Sequence, residues 1–182
     1  MGTAAQPVRL NLGAGPSPLE QWINIDIEPR FRPDCRVDLG RRPWPFGDGS
    51  VDELRATHIL EHMPDWVGFL HECARILKPG APFLLSFPHY NDIASMTERT
   101  HLHVFSPMTF KNLFHGIPNP YWAGREQLQP PVERLPLAVE RWGPVLVGGW
   151  RRLPAWLQWF AAEHLLGIAI EQRFYLRRLA GG

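Results

Sequence analysis

The chain has 182 residues and a mass of 20.9 kDa, room for one domain of ordinary size. Hydrophobic residues make up 45% and charged residues 20%, which excludes wholesale disorder, and a net charge of +1 gives no ground for nucleic acid as the main partner. Cys35 and Cys73 are the only thiols, too few for a disulfide framework or a four-thiolate zinc site. No run of eighteen apolar residues occurs and the N-terminus lacks a secretion-signal pattern, so the expectation is a soluble cytoplasmic domain without a transmembrane segment.

Three strand-length segments open the chain: VRLNL at 8–12, WINIDI at 22–27 and CRVDL at 35–39, each bounded by Gly, Pro or Asp. A fourth, VDELRATHIL at 51–60, follows the Asp48-Gly49 turn. Trp66, Phe69, Leu70, Cys73, Ala74 and Leu77 then recur at helical spacing, and Lys78-Pro79-Gly80 closes that helix. APFLLSF at 81–87 has no polar face, as a central parallel strand buried on both sides requires. Residues 88–106 read as a loop, Pro107 to Phe114 as a short helix capped by Ser106, and the proline-rich stretch 116–136 as a stiff surface segment. LAVERW at 137–142 reads as a strand, Leu153 to Leu166 as an amphipathic helix, and IEQRFYLRRL at 170–179 as a final strand with Phe174 and Leu176 on one face. The fold expected is α/β, a Rossmann-like and mainly parallel sheet in a single domain over 1–182. Residues 8–115 would be its ligand-binding core, and 116–182 an acceptor-side and helical, aromatic C-terminal extension.

The first strand ends in Leu12-Gly13-Ala14-Gly15, where a ligand can approach the backbone with no Cβ in the way. Alone, such a Gly-x-Gly is as readily an ordinary turn. The second strand ends in Asp26, a carboxylate able to accept both hydroxyl protons of a ribose, although a strand-end cap would look the same. The third ends in Asp38-Leu39, an acceptor and an apolar side chain suited to an adenine. Three successive strand ends thus sketch an adenosine pocket.

The segments VRLNLGAG, WINIDIEP, VDLGRRPWPFGDGSVDELRATHILEHM and FLHECARILKPGAPFLLSFP together resemble a class I S-adenosylmethionine-dependent methyltransferase, over roughly residues 8–115 in order and register. They are most similar to a small bacterial group with a "GWINVD" second strand and a "SHVLEHL" fourth. The resemblance implies that Leu12, Gly13, Ala14 and Gly15 line the methionine and ribose part of the cofactor. Asp26 would hold the ribose, Asp38 and Leu39 the adenine, and Thr57 and His58 would flank the sulfonium. Its product would be S-adenosylhomocysteine. Two departures stand out: Ala14 replaces a commoner Cys, and only Pro16 to Gln21 separate the glycine motif from Trp22, where most relatives insert a helix. A parallel crossover usually needs a dozen residues or more, so this one is reduced.

Six of the eight histidines lie between positions 58 and 103. His58-Ile59-Leu60-Glu61-His62 spells H-x-x-E-H, a zinc-protease signature, but the signature needs a sustained helix and Pro64 follows at once. Methyl transfer to a hydroxyl needs alignment and a proton acceptor, and an imidazole suits that role at neutral pH. His62, His101 and His103 follow strand ends that face the crevice and are the catalytic candidates; a loop-pinning role is the plainer alternative. The expectation is metal-free catalysis, with a cluster of Glu61, His62, His101 and His103 as the alternative. The function expected is methyl transfer to a small-molecule or glycan acceptor. The alternatives are another S-adenosylmethionine-dependent reaction on the same fold, or a non-catalytic cofactor-binding partner subunit. The C-terminal extension is read as packing on the sheet or on a second copy of the chain.

Overall fold

The computed structural model describes residues 6–106, 109–110, 113–114, 135–165 and 169–180. Among them are seven strands in one sheet: β1 Arg9–Leu12, β2 Ile23–Asp26, β3 Cys35–Arg36, β4 Glu53–Thr57, β5 Pro82–Pro88, β6 Leu137–Leu146 and β7 Ala169–Arg178. Their order is β3-β2-β1-β4-β5-β7-β6; β7 runs antiparallel to both β5 and β6, and every other pairing is parallel. Helices α1 Trp66–Ile76, α2 Ile93–Thr97 and α3 Ala155–His164 accompany them. The expected α/β sheet is therefore present, with an antiparallel hairpin at its C-terminal edge.

Register explains how the sheet divides its two faces. Leu10, Leu54, Phe83 and Leu176 form one row across four strands, and Leu12, Ala56, Leu85 and Phe174 form the next. All eight side chains are buried in one core cluster. The intervening row runs Asn24, Asn11, Arg55, Leu84, Tyr175 and Arg141, and it is mostly polar. Strands buried on both faces are apolar throughout, whereas this alternation gives the sheet one apolar and one largely polar face.

The chain reaches β2 from β1 with no helix at all, through residues 13–22. One buried side chain holds this link. Asn24 Oδ1 accepts from the Leu19 amide at 2.8 Å and from Asn11 Nδ2 at 3.0 Å. Its Nδ2 donates to the carbonyls of Leu19 and Trp22 and to Asp34. The side chain thus satisfies backbone groups that a crossover helix would satisfy internally.

Helix α1 starts at Asp65, whose carboxylate accepts from the Gly68 amide at 2.9 Å, and stops before the Lys78-Pro79-Gly80 turn. It buries Phe69, Leu70, Cys73, Ala74 and Ile76. Residues 37–52, which also contain no helix, are tied to it by Glu72. That carboxylate, 7% exposed, accepts from the Trp44 amide at 2.7 Å and from Arg75 at 2.6 Å. Arg75 in turn donates to the carbonyls of Phe46 and Trp44. The guanidinium is the main cause that holds the Glu72 carboxyl below its ordinary pKa.

Several sequence expectations change. The third strand ends at Arg36, leaving Asp38 and Leu39 in the turn beyond it. The fourth ends at Thr57, and Leu60–His62 is a 3-10 turn. The loop 88–106 contains α2, and β6 runs on to Leu146. Thr109, Phe110, Leu113 and Phe114 are helical, while the rest of the 107–114 segment and nearly all of 116–136 lie outside the described residues. α3 is not amphipathic in the expected sense. It buries Ala161 and Ala162, while Trp156 and Phe160 are 71% and 51% exposed. Its Trp159 packs edge-on against Trp142, which stacks on Phe174 of the main core. Among the described residues no helix is long and apolar enough to cross a membrane.

Glu72→Ala strands the Trp44 amide and the half-buried Arg75 guanidinium, so it should cost about 2–4 kcal/mol of folding stability. Urea denaturation measures this; a loss no larger than that of the exposed control Glu20→Ala would contradict the role given to Glu72.

Candidate functional site

The site lies where the sheet changes direction. β1 leads outward to β2 on one side and its other neighbour is β4, so the carboxyl ends of β1 and β4 part into a crevice. A cleft of about 390 Å³ opens there, a size ordinary for small-molecule sites. Its floor is the backbone from Gly13 to Ser17, and its walls are Asp26 on one side and Thr57, His58, Ile59 and His62 on the other. Asn11 and Arg55 reach it from the polar face of the sheet.

Gly13 has φ +65°, and a Cβ there would stand 2.8 Å from Ile59 Cγ1. Both the left-handed backbone and the close approach exclude a side chain. Asp26 closes the loop: its Oδ2 accepts from the Gly15 amide at 2.8 Å and its Oδ1 from the Glu28 amide at 2.9 Å. An ionised carboxylate offers about four lone-pair sites, so each oxygen keeps capacity for one more donor. The cap reading and the binding reading of Asp26 are therefore compatible.

Thr57 ends β4 with its hydroxyl accepting from Arg55 Nε at 3.0 Å. His58 follows with φ +51°, an uncommon conformation for a non-glycine residue and one that concentrates at functional sites. Its ring lies between two carboxylates, Nδ1 3.5 Å from Glu61 and Nε2 3.7 Å from Glu171. Glu171 and then Glu61 raise the His58 pKa to about 9, so the ring is an imidazolium at neutral pH. Burial pushes the Glu171 carboxyl upward, but His58, Arg173 and Ser86 outweigh it and bring its pKa down to about 2.

The acceptor-side histidines cluster. His62 Nδ1 donates to the Thr100 carbonyl and His101 Nδ1 to the Ser95 carbonyl, each at 2.9 Å, and the two rings stand 5.0 Å apart. His103 shares their face of the 101–105 segment and stacks on Phe105. Only His62 of the three lines the cleft. His89, buried after β5, has its pKa lowered by burial.

Three expected cofactor residues stand away from the cleft lining. The Leu12 side chain is wholly buried in the core on the other face. Leu39 is also a core residue, its carbonyl accepting from the Trp44 indole at 3.3 Å. Asp38 is occupied locally by the Gly40 amide and by Arg41. Conversely, Asn11, Arg55, Glu61 and Glu171 were not singled out for the cofactor side. For Asn11 and Arg55 the available signal was a polar side chain within a central strand, where a doubly covered sheet would carry apolar ones.

Residues 12–85 match the methyltransferase domain family model. A probable S-adenosylmethionine-dependent methyltransferase of Mycolicibacterium smegmatis is 42% identical over 45 residues, 25% of this chain and 18% of that protein. The ubiquinone biosynthesis O-methyltransferase of Xanthomonas oryzae pv. oryzae is 34% identical over 68 residues, 37% of this chain and 25% of that protein. The chain thus spans about a quarter or less of the length of these curated relatives. Among solved structures, an S-adenosylmethionine-dependent methyltransferase of Archaeoglobus fulgidus superposes with a TM-score of 0.59 at 12% identity, covering 96% of this chain and 87% of that one. The (4+2)-cyclase SpnF superposes with a TM-score of 0.58 at 17% identity, covering 96% and 76%. The family match over residues 12–85, the relatives and the fold all liken this chain to the class I S-adenosylmethionine-dependent methyltransferases.

Proposed function

We propose that the chain transfers a methyl group from S-adenosylmethionine to a small-molecule or glycan acceptor. The observation that carries this reading is the pairing of a side-chain-free backbone at Gly13 with a carboxylate at Asp26, across one cleft at the switch point of the sheet. S-adenosylmethionine, when bound, supplies a methyl group activated by its sulfonium. The residues of the chain supply the rest. Gly13, Ala14 and Gly15 bring backbone to the floor of the cleft, and the free lone pairs of Asp26 accept ribose hydroxyls. Thr57 and His58 form the wall toward the reacting end. Leu12, Asp38 and Leu39 contribute through main chain or through the open rim, since their side chains are engaged elsewhere.

On the acceptor side, His62, His101 and His103 handle the proton of an acceptor hydroxyl. His62 is best placed, because its Nδ1 is used by the Thr100 carbonyl and its Nε2 keeps the lone pair beside the cleft. The core over 8–115 and the extension over 116–182 act as one unit in this reading, because β7 supplies Glu171 to the site. A cytoplasmic setting is supported by the two free thiols, and pairing of two copies by the exposed Trp156 and Phe160 of α3. The second reading, a different reaction with the same cofactor, is favoured by the superposition on a cyclase.

Purified chain mixed with methyl-labelled S-adenosylmethionine and a panel of hydroxylated metabolites and sugars should release S-adenosylhomocysteine and label one acceptor class. Cofactor consumption with no labelled acceptor would favour the second reading, and no consumption at all would sink both. Asp26→Ala removes charge-assisted hydrogen bonds of about 1.5–3 kcal/mol, so S-adenosylhomocysteine should bind about 10–150-fold more weakly in calorimetry. Gly13→Ala should abolish binding while leaving the far-ultraviolet dichroism of the sheet intact; retained affinity would refute the cradle. His62→Ala should lower turnover about 10²–10⁴-fold with unchanged cofactor affinity, and a paired loss of affinity and thermal stability would reduce it to a loop pin.

A further inference from the structure

We infer that Glu61, His62 and His101 form a binding site for one divalent transition-metal ion of the zinc class. Each residue contributes one ligand atom, and the three atoms lie within 4.8 Å of one another. A tetrahedral ion with bonds of about 2.0–2.1 Å holds its ligands about 3.3 Å apart, so closure needs side-chain shifts of roughly 1–1.5 Å.

The hydrogen-bond geometry is what points to a cation. A carbonyl oxygen only accepts, so each ring donates from Nδ1, to Thr100 and to Ser95 respectively, and Nε2 is the nitrogen left for another partner. This is the arrangement by which metal-binding imidazoles are oriented, through a backbone carbonyl on the nitrogen opposite the metal. His101 Nε2 faces Glu61 Oε1 at 3.9 Å, beyond direct hydrogen-bonding distance and near enough for both atoms to reach one ion. Glu61 is 1% exposed and neither of its oxygens has a hydrogen-bond partner. A buried carboxylate without hydrogen-bond partners is unfavourable, and an ion closer than the His58 ring would relieve it. His58 approaches the same carboxylate to 3.5 Å, outside good hydrogen-bonding geometry, and leaves the other oxygen unserved.

The backbone holds the ligands in place. The amides of Leu102 and His103 both donate to the Glu61 carbonyl, at 2.8 and 3.3 Å, which ties the His101 segment to the 3-10 turn carrying the other two residues. Two imidazoles and one carboxylate suit zinc, cobalt, nickel or iron and not magnesium or calcium. Three protein ligands leave a coordination position free, and His62 places it beside the cleft. This deepens the acceptor-side part of the proposed function and rests on it only for its catalytic meaning. An ion there would bind the acceptor oxygen and acidify its hydroxyl, whose proton would pass to water in the open cleft, since His62 and His101 would be ligands and not free bases.

The test is metal binding by the full chain, independent of turnover. After dialysis against a chelator, the protein is titrated with zinc chloride in a calorimeter and with cobalt chloride in an absorption spectrometer. We expect one equivalent of zinc bound at micromolar or tighter affinity, visible d–d bands for cobalt, and no competition from millimolar magnesium. Glu61→Gln, nearly isosteric, and His62→Ala, at a half-exposed position, should each weaken zinc binding at least about tenfold. Asp26→Ala should bind zinc like the parent, which separates failure of this site from failure of the cofactor cleft. No stoichiometric binding, or equal binding by Glu61→Gln and His62→Ala, would overturn the proposal and leave a proton as the cation at His101.

Discussion

A parallel strand pair joined by ten residues cannot hide its connection in a helix, and here the Asn24 side chain takes over that task. Its amide meets Leu19, Trp22, Asn11 and Asp34, so the link folds back over the sheet in one defined path. The consequence reaches the cleft. Asn24 sits two residues before Asp26, and Asp26 accepts the Gly15 amide, so the network that shapes the link also aims the glycine loop. The Asp34 carboxyl is held below its ordinary pKa by hydrogen bonds from Asn24, which favours the ionised partner the network needs.

The C-terminal extension is joined to the core both structurally and electrostatically. β7 lies antiparallel on β5 and brings Glu171 opposite Pro88, at the end of the sheet where His58 emerges from β4. The aromatic chain Trp159, Trp142, Phe174 and Phe87 then runs from α3 into the main core without a break. Glu171 and Glu61 together keep His58 charged in its left-handed conformation, so one wall of the cleft depends on residues more than a hundred positions apart.

Much of this was legible in the residues. The sheet follows from seven strand-length segments and one periodic helix, and Gly13, Gly15, Asp26, Thr57 and His58 fall in one cleft because strand ends on the same edge converge. Asp38 and Leu39 misled because β3 is only two residues long, so a residue counted as a strand end already belongs to the next turn. The apolar character of Leu39 reflected a core position beneath Trp44, which no linear pattern distinguishes from a ligand-facing one. α3 misled for a related reason. Periodicity reports which residues are apolar, but close packing against β6 and the following segment selected the small Ala161 and Ala162 and left Trp156 and Phe160 outside. Arg55 was the missed clue, since a charged residue in the middle of a parallel strand already signals a polar face.

The account stands on the claim that Asp26 and the Gly13–Gly15 backbone together receive the adenosyl group. A crystal structure of the chain with S-adenosylhomocysteine tests it most directly. The account predicts ribose hydroxyls on the Asp26 carboxylate and the homocysteine end over Gly13, pointing toward His58. A ligand bound elsewhere, or one in the cleft that leaves Asp26 without a contact, would contradict it.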